Sequence, residues 1–201
     1  FSSKLEARSA SLIFSSYYIN TPASAFGHTF LRLNRHAHGA KSEDKTELLD
    51  YGINYAALMD TKNALVYAVK AIFGMFPGVF TSVPYYYKVR EYNDHESRDL
   101  WEYELNLSQE QIDMVVAHVW EMSQTNFFYY YFTENCSYQI LAIIDVVDPR
   151  FNLVDRIPFY VIPADTVRAA VEEPGLVSGK SFRPSALTRL ERGTKEMTPE
   201  E

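Results

Sequence analysis

Short β-rich segments that come in pairs, set apart from strongly helical ones, predict an α+β fold: an antiparallel sheet with packed helices. The helical signal is clearest at Ser108. With Gln111 it makes a capping box ahead of Ile112, Val115, Val116 and Val119, which recur at helical spacing. The strand signal is clearest in residues 11–20 (SLIFSSYYIN) and 27–34 (GHTFLRLN), rich in β-formers and bounded by turn residues. Composition sets the scale: 201 residues, 47% hydrophobic and 22% charged, make one globular domain with its own core.

In chain order, residues 11–20 form a strand closed by the turn signal NTP, and residues 27–34 form a second. A polar, loop-like stretch follows (RHAHGAKSEDKTE), then a third strand over 48–57 (LLDYGINYAA). Residues 63–76 predict a helix ended by Gly74 and Pro77. VPYYYKVREYN and DLWEYELNLS predict two more strands, joined by the charged turn DHESR. The helix opened by Ser108 leads to a run of six aromatics, FFYYYF. A second helix then starts at Asn135 or Cys136, carries Tyr138, Ile140, Leu141, Ile144 and Val147, and is stopped by Pro149. A short helix over 164–172 begins just after Pro163. From about residue 175 the chain reads as loop-rich, and its polar tail GTKEMTPEE is expected to fray. One domain over residues 1–201 accounts for all of this.

Charge and composition narrow the function. The net charge is −7 with no long basic run, which argues against nucleic acid as a partner. No eighteen consecutive residues are apolar, so no bilayer span is expected. The longest apolar segment, residues 64–80, is broken by Lys70, Gly74 and Pro77. The chain starts abruptly at Phe1 without a signal peptide and reads as a mature or trimmed fragment. Its 15 Tyr and 13 Phe can fill a core or form an amphipathic surface at lipid headgroups. No metal-ligand spacing and no glycine-rich phosphate loop occurs, so neither a metal nor another cofactor is expected.

The chemistry centres on Cys136, the one cysteine. It cannot form an internal disulfide, which leaves an inert core thiol, an intermolecular bridge or a nucleophile. At a helix start its sulfur meets unpaired N–H groups and the positive end of the helix dipole, both of which favour a thiolate. Free cysteine is also among the most buried residue types, so the inert reading stands beside the catalytic one.

A nucleophilic thiol needs a histidine. His36 and His38 lie in the polar loop, His95 in the charged turn and His118 within the capped helix, all of them simplest as solvated or satisfied side chains. His28 differs, standing at the start of a strand after the small-residue loop TPASAFG. Alternation puts His28, Phe30 and Arg32 on one strand face, and Asp50, Gly52 and Asn54 on one face of the next. The register that pairs Arg32 with Asp50 as ions also sets Asn54 opposite His28. There its oxygen would accept from Nδ1–H and leave Nε2 for the thiol. A slip of two residues would remove that partner, and Asp50 is the rival orienting residue.

SAFGHTFLRLN, LLDYGINYAA and FTENCSYQILAIID, together covering roughly residues 11–145, resemble the Lnb-type domain of bacterial envelope proteins. The order, histidine strand before cysteine helix, is similar to the circularly permuted papain-like group that includes lecithin:retinol acyltransferase. The resemblance implies a lipoprotein N-acyltransferase of the periplasm, associated with the membrane surface. Cys136 would take an acyl chain from a phospholipid donor as a thioester, with His28 as base. It would pass that chain to the α-amino group of a diacylated lipoprotein's N-terminal cysteine. A thioester must be shielded from water. Phe128, Tyr130 and Phe132 in the aromatic run, and the segment 64–80, are candidate walls for the acyl chain. Arg32 is a candidate phosphate contact, with the Asp50 pair as its alternative. A papain-like cysteine peptidase or amidase of the envelope, and a silent lipid-binding domain, are the competing readings.

Overall fold

The structure, a computed structural model, describes residues 1–18, 25–39, 47–157 and 159–196. A short helix α1 (Ser2–Leu5) precedes strands β1 (Ser9–Ser15), β2 (His28–Asn34) and β3 (Tyr51–Ala57). Helix α2 (Ala64–Ile72), strand β4 (Phe76–Pro84) and helix α3 (Tyr85–Val89) follow, the last continued by a π-helical segment, Arg90–His95. Strand β5 (Leu100–Leu105), helix α4 (Gln109–Met122), strand β6 (Phe127–Tyr129) and helix α5 (Cys136–Asp145) come next. Helix α6 (Pro163–Glu172), strand β7 (Val177–Arg183) and helix α7 (Ala186–Glu196) complete the order. The seven strands form one sheet, β6-β4-β3-β2-β1-β5-β7, with every neighbouring pair antiparallel. The α+β expectation holds.

Alternation along the central strands decides which face meets which helix. Leu12 of β1, Leu31 and Leu33 of β2, and Ile53 and Tyr55 of β3 enter the main core with Ile140, Leu141, Ile143 and Ile144 of α5 and Val115 and Val119 of α4. On the opposite face Ile13, Phe30 and Leu100 pack under Tyr85 and Tyr92 of the α3 segment. The Ser108–Gln111 capping box is present, and Asn63 caps α2 by accepting from Leu65 and Val66 N–H.

Two expectations fail. Of the expected strand 83–93 only Val83 and Pro84 are strand: β4 ends at Pro84, and Tyr85, Lys88 and Tyr92 then turn their side chains inward at helical spacing. Their aromatic and β-branched content favoured a strand, but the period of burial is helical. The segment from about 175 is not loop-rich either. As an edge strand β7 buries little, so VSGKSFR shows no alternation, yet it pairs with β5 along its length. The Phe182 ring lies 4.3 Å from that of Trp101. Residues 193–196 of the expected fraying tail belong to α7, and its last five lie outside the described residues.

The register of β2 on β3 is also shifted. Arg32 pairs with Gly52 rather than Asp50, two residues from the expected alignment. Arg32 hydrogen-bonds a different carboxylate and keeps Asp50 as a longer ion pair. Its Nη1 donates to Glu102 Oε2 at 2.8 Å and its Nε to Asn34 Oδ1 at 2.6 Å, while Asp50 stays 3.8 Å away. Tyr85 donates to the other Glu102 oxygen at 2.8 Å. The guanidinium is buried and held from several sides, and the cavity it lines is shared with Glu47, Glu102 and Glu104, which disfavours a phosphate there. Burial works against the Glu102 carboxylate, and Arg32 and the Tyr85 hydroxyl together bring its pKa below the ordinary value. Removing one partner of such a pair leaves a buried charge without its counterion. Glu102→Ala is expected to lower unfolding free energy by about 3 kcal/mol in urea titration, with Glu102→Gln milder. Loss of less than about 0.5 kcal/mol would show the network to be dispensable.

Candidate active site

The cysteine helix is fixed at its first turn. Asn135 caps α5, its Oδ1 accepting from Ser137 N–H at 3.0 Å and Tyr138 N–H at 3.4 Å. Its amide nitrogen donates to Val161 O at 2.7 Å and Tyr131 O at 3.0 Å, tying the helix start to two neighbouring segments. Ser137 donates to Thr29 Oγ1 at 3.1 Å and so docks the helix on the start of β2. Cys136 is the first helical residue and is 4% exposed.

The histidine strand is fixed by a glycine. Gly27 has φ +97°, and a Cβ there would sit 2.7 Å from the Phe14 ring and 2.8 Å from Ser15 O. Only glycine suits both the conformation and the space. The next residue, His28, therefore enters β2 with its ring against Phe30 and Tyr92, centroids 6.2 and 5.7 Å away.

His28 and α5 approach the sheet from opposite faces. They can meet because β3 pairs with β2 only over Leu31–Leu33, although it pairs with β4 along its whole length. The sheet is open beside His28, and Asn54 bridges the gap with Oδ1 2.5 Å from His28 Nε2. The expected amide partner is therefore present despite the shifted register: the two residues are diagonal rather than opposite. The ring is reversed from expectation. Asn54 Oδ1 only accepts, so Nε2 carries the proton, and Nδ1 is left for the thiol. Asp50 is no rival, because its Oδ1 accepts from Arg35 N–H at 3.0 Å, away from His28.

Five effects act on the thiol. Burial raises its pKa. The His28 charge, a hydrogen bond with the His28 ring, the Thr29 backbone N–H and the Ser137 hydroxyl lower it, and together they bring it from 9.0 to about 7. A thiol with a lowered pKa beside an imidazole has the chemistry a nucleophile and its base require. The other histidines stand apart. His38 bonds Ser178 Oγ at 2.7 Å, His36 Nδ1 lies 4.0 Å from Asp50, His118 pairs with Glu121 at 3.6 Å, and His95 is exposed.

Cys136 lies in a cavity of about 590 Å³ with Phe26, Tyr129, Tyr131, Phe132, Val161 and Ile162 among its walls. Ile72, Tyr131 and Phe132 also line a second apolar cavity of about 440 Å³ running along α2. Of the expected wall residues Phe132 is placed there, and with it Ile72 of the segment 64–80. Phe128 points outward, 70% exposed, and the Tyr130 ring packs over Gly74. Alternation in β6 turns Tyr129 inward instead. Thr29, Tyr129, Tyr131, Asn135 and Ser137 were not singled out as site residues from the sequence. The Asn-Cys junction at a helix start was the available signal for Asn135. On the other side of the thiol a cavity of about 190 Å³ is lined by His28, Asn54, Lys88, Glu91, Glu96 and Tyr129 among others.

The alkylation rate of Cys136 by iodoacetamide is expected to rise with pH around a midpoint of about 7, not near 9. In His28→Ala the charge that offsets burial is gone, so the midpoint should move up by at least about one unit. A midpoint unchanged by His28→Ala would show that the imidazole does not set the thiolate.

Histidine strand before cysteine helix is the order of a circularly permuted papain-like fold. A crystal structure of the type VI secretion system effector TseH is similar over 90% of this chain and 94% of that one, with a TM-score of 0.55 at 12% identity. At that identity the likeness is one of fold alone. No curated protein matches the chain. The family model described as the Lnb N-terminal periplasmic domain matches residues 1–173, and the chain belongs to that family.

Proposed function

We propose that this domain is a lipoprotein N-acyltransferase that works through a Cys136 thioester at the periplasmic membrane surface. The observation that carries the reading is the cavity: a thiol with a lowered pKa opens onto an apolar space that continues along α2, a path suited to a hydrocarbon chain. A peptidase or amidase would need an open, polar groove at the same place. A silent lipid-binding domain would have no use for a thiol held at about pH 7 beside an imidazole.

In the proposed reaction His28 Nδ1 takes the thiol proton and the sulfur adds to the ester carbonyl of a phospholipid. Collapse breaks the ester C–O bond, and His28 returns the proton to the departing lysophospholipid oxygen. The cavity beside His28 and Asn54, with Lys88, Glu91 and Glu96 on its walls, is a candidate exit for that headgroup end. The amine of a diacylated lipoprotein then adds to the thioester carbonyl, the C–S bond breaks, and the amine proton passes through His28 to the sulfur. Asn54 holds the ring throughout. No metal or other cofactor enters the scheme.

Among the described residues no helix is long and apolar enough to cross a membrane. Surface contact has support of another kind. Helix α2 buries only Ala71 and exposes Leu65, Val66, Val69 and Ile72, with Leu65 81% exposed. Phe159, 92% exposed, stands at the other rim next to Tyr160 of the cavity wall. A patch of this kind, continuous with the cavity mouth, fits the interfacial region of a bilayer.

Intact-mass measurement after incubation with phosphatidylethanolamine vesicles should show one fatty acyl group added to the protein. The adduct should be absent in Cys136→Ala and should be transferred to a diacylated lipopeptide on its addition. Hydrolysis of a peptide substrate without any acyl adduct would replace this reading with the hydrolase. A Leu65→Glu, Val69→Glu protein should lose sedimentation with the same vesicles while its Cys136 alkylates at the wild-type rate. Equal sedimentation would remove α2 from the membrane contact.

A further inference from the structure

We propose that the cavity along α2 holds the distal part of the acyl chain, and that Phe132 is the gate through which the site selects long chains over short ones. The inference rests on the acyl-thioester reading and names the kind of chain that reading uses. Cys136 lies on the first cavity, of about 590 Å³, and the second, of about 440 Å³, runs along α2. Ile72, Tyr131 and Phe132 line both. They are the wall between the two spaces. A chain anchored at the sulfur reaches the second cavity only past them.

That wall has a fixed part and a part able to move. Tyr131 N–H donates to Ala71 O at 3.0 Å, and Tyr131 O accepts from the Asn135 amide at 3.0 Å. Its backbone is therefore tied to α2 on one side and to the start of α5 on the other. Phe132 O accepts from Val161 N–H at 2.8 Å, which pins the next residue too. The Phe132 ring meets those of Tyr131 and Tyr160 edge to face, with centroids 4.9 and 5.8 Å away. Phe132 is 40% exposed, so its ring can turn about the side-chain bonds while the backbone stays in place.

Beyond the gate the second cavity has a direction. Ala64, Ala68 and Ala71 line it, and their spacing puts them on one face of α2. From Ile72 back to Ala64 the helix rises about 12 Å. A chain led along that face buries methylene groups that a short chain does not have. Each methylene taken out of water adds to binding, so chain length is read as affinity. A short acyl group stays in the first cavity and gains nothing from the second.

Two esters with one leaving group test the site. p-Nitrophenyl butyrate and p-nitrophenyl palmitate, dispersed in the same detergent, each acylate Cys136 by forming the C–S bond and releasing p-nitrophenolate. The quantity read is the ratio of their single-turnover rates at limiting ester, palmitate over butyrate. Ala68→Trp fills the second cavity and is expected to lower that ratio by on the order of tenfold. Phe132→Ala removes the ring of the gate and is expected to raise it. Damage to the fold would slow both esters together and could not move one ratio in opposite directions. A ratio unchanged in Ala68→Trp, with a wild type that both esters acylate, overturns the distal site and leaves the thioester reading in place. A ratio unchanged or lowered in Phe132→Ala overturns the gate. Ala68→Trp that keeps the ratio yet is acylated more slowly from phosphatidylethanolamine vesicles gives the cavity to the donor's second chain, and overturns the proposal as well. Wild-type protein that gains no acyl mass from either ester overturns the thioester reading, and this site with it.

Discussion

A thiol and an imidazole carried on opposite faces of one sheet can touch only where that sheet is open. The rest of the site depends on that condition. β2 and β3 stay paired at Leu31–Leu33 and part beside His28. Asn54 spans the gap to hold the ring, and Ser137 on Thr29 holds the helix start against the same strand. Closing the sheet by three more pairs would satisfy more backbone and separate the two groups. The backbone N–H of Thr29 is engaged by the cysteine sulfur instead, so part of what the sheet loses is recovered at the site. The meeting of thiol and imidazole here depends on an incomplete strand pairing.

Electrostatics and burial oppose each other at Cys136, and the balance is what makes the thiol useful. Burial alone would keep it neutral and inert. The imidazole charge, one backbone amide and one hydroxyl outweigh burial by a modest margin, leaving a pKa of about 7. The apolar walls that impose the burial also keep water from a thioester in the proposed reaction. One set of aromatic residues therefore does two opposing things: it discourages the thiolate and protects what the thiolate would make.

Much of this was legible in the sequence because the signals were local. Gly27 before His28, Asn135 before Cys136, and Ser108 with Gln111 each mark the start of an element through side chains only a few residues apart. Asn54 was found for a partly mistaken reason: face alternation put it on the His28 side, but the register was off by two and the ring nitrogens were reversed. Register is set by contacts across the sheet, and nothing in either strand's own sequence separates Asp50 from Glu102 as the partner of Arg32. The α3 segment was misread because tyrosines favour strands, while the face that buries Tyr85, Lys88 and Tyr92 is defined by the sheet below. Tyr129 was hidden inside a run of six aromatics, where only the pairing of β6 on β4 decides which ring turns inward.

The contact between Ser137 and Thr29 spans 108 residues, and β1 is sandwiched between β2 and the distant β5. Long-range pairings of this kind form slowly, because loop closure must precede the contacts that reward it. Until that closure is made, Cys136 has neither the imidazole nor the Thr29 amide and behaves as an ordinary thiol. At neutral pH the unfolded chain thus carries almost no thiolate. Most of its thiolate character appears only when the sheet has assembled around it, so the reactivity of this one thiol reports on whether the chain has finished folding.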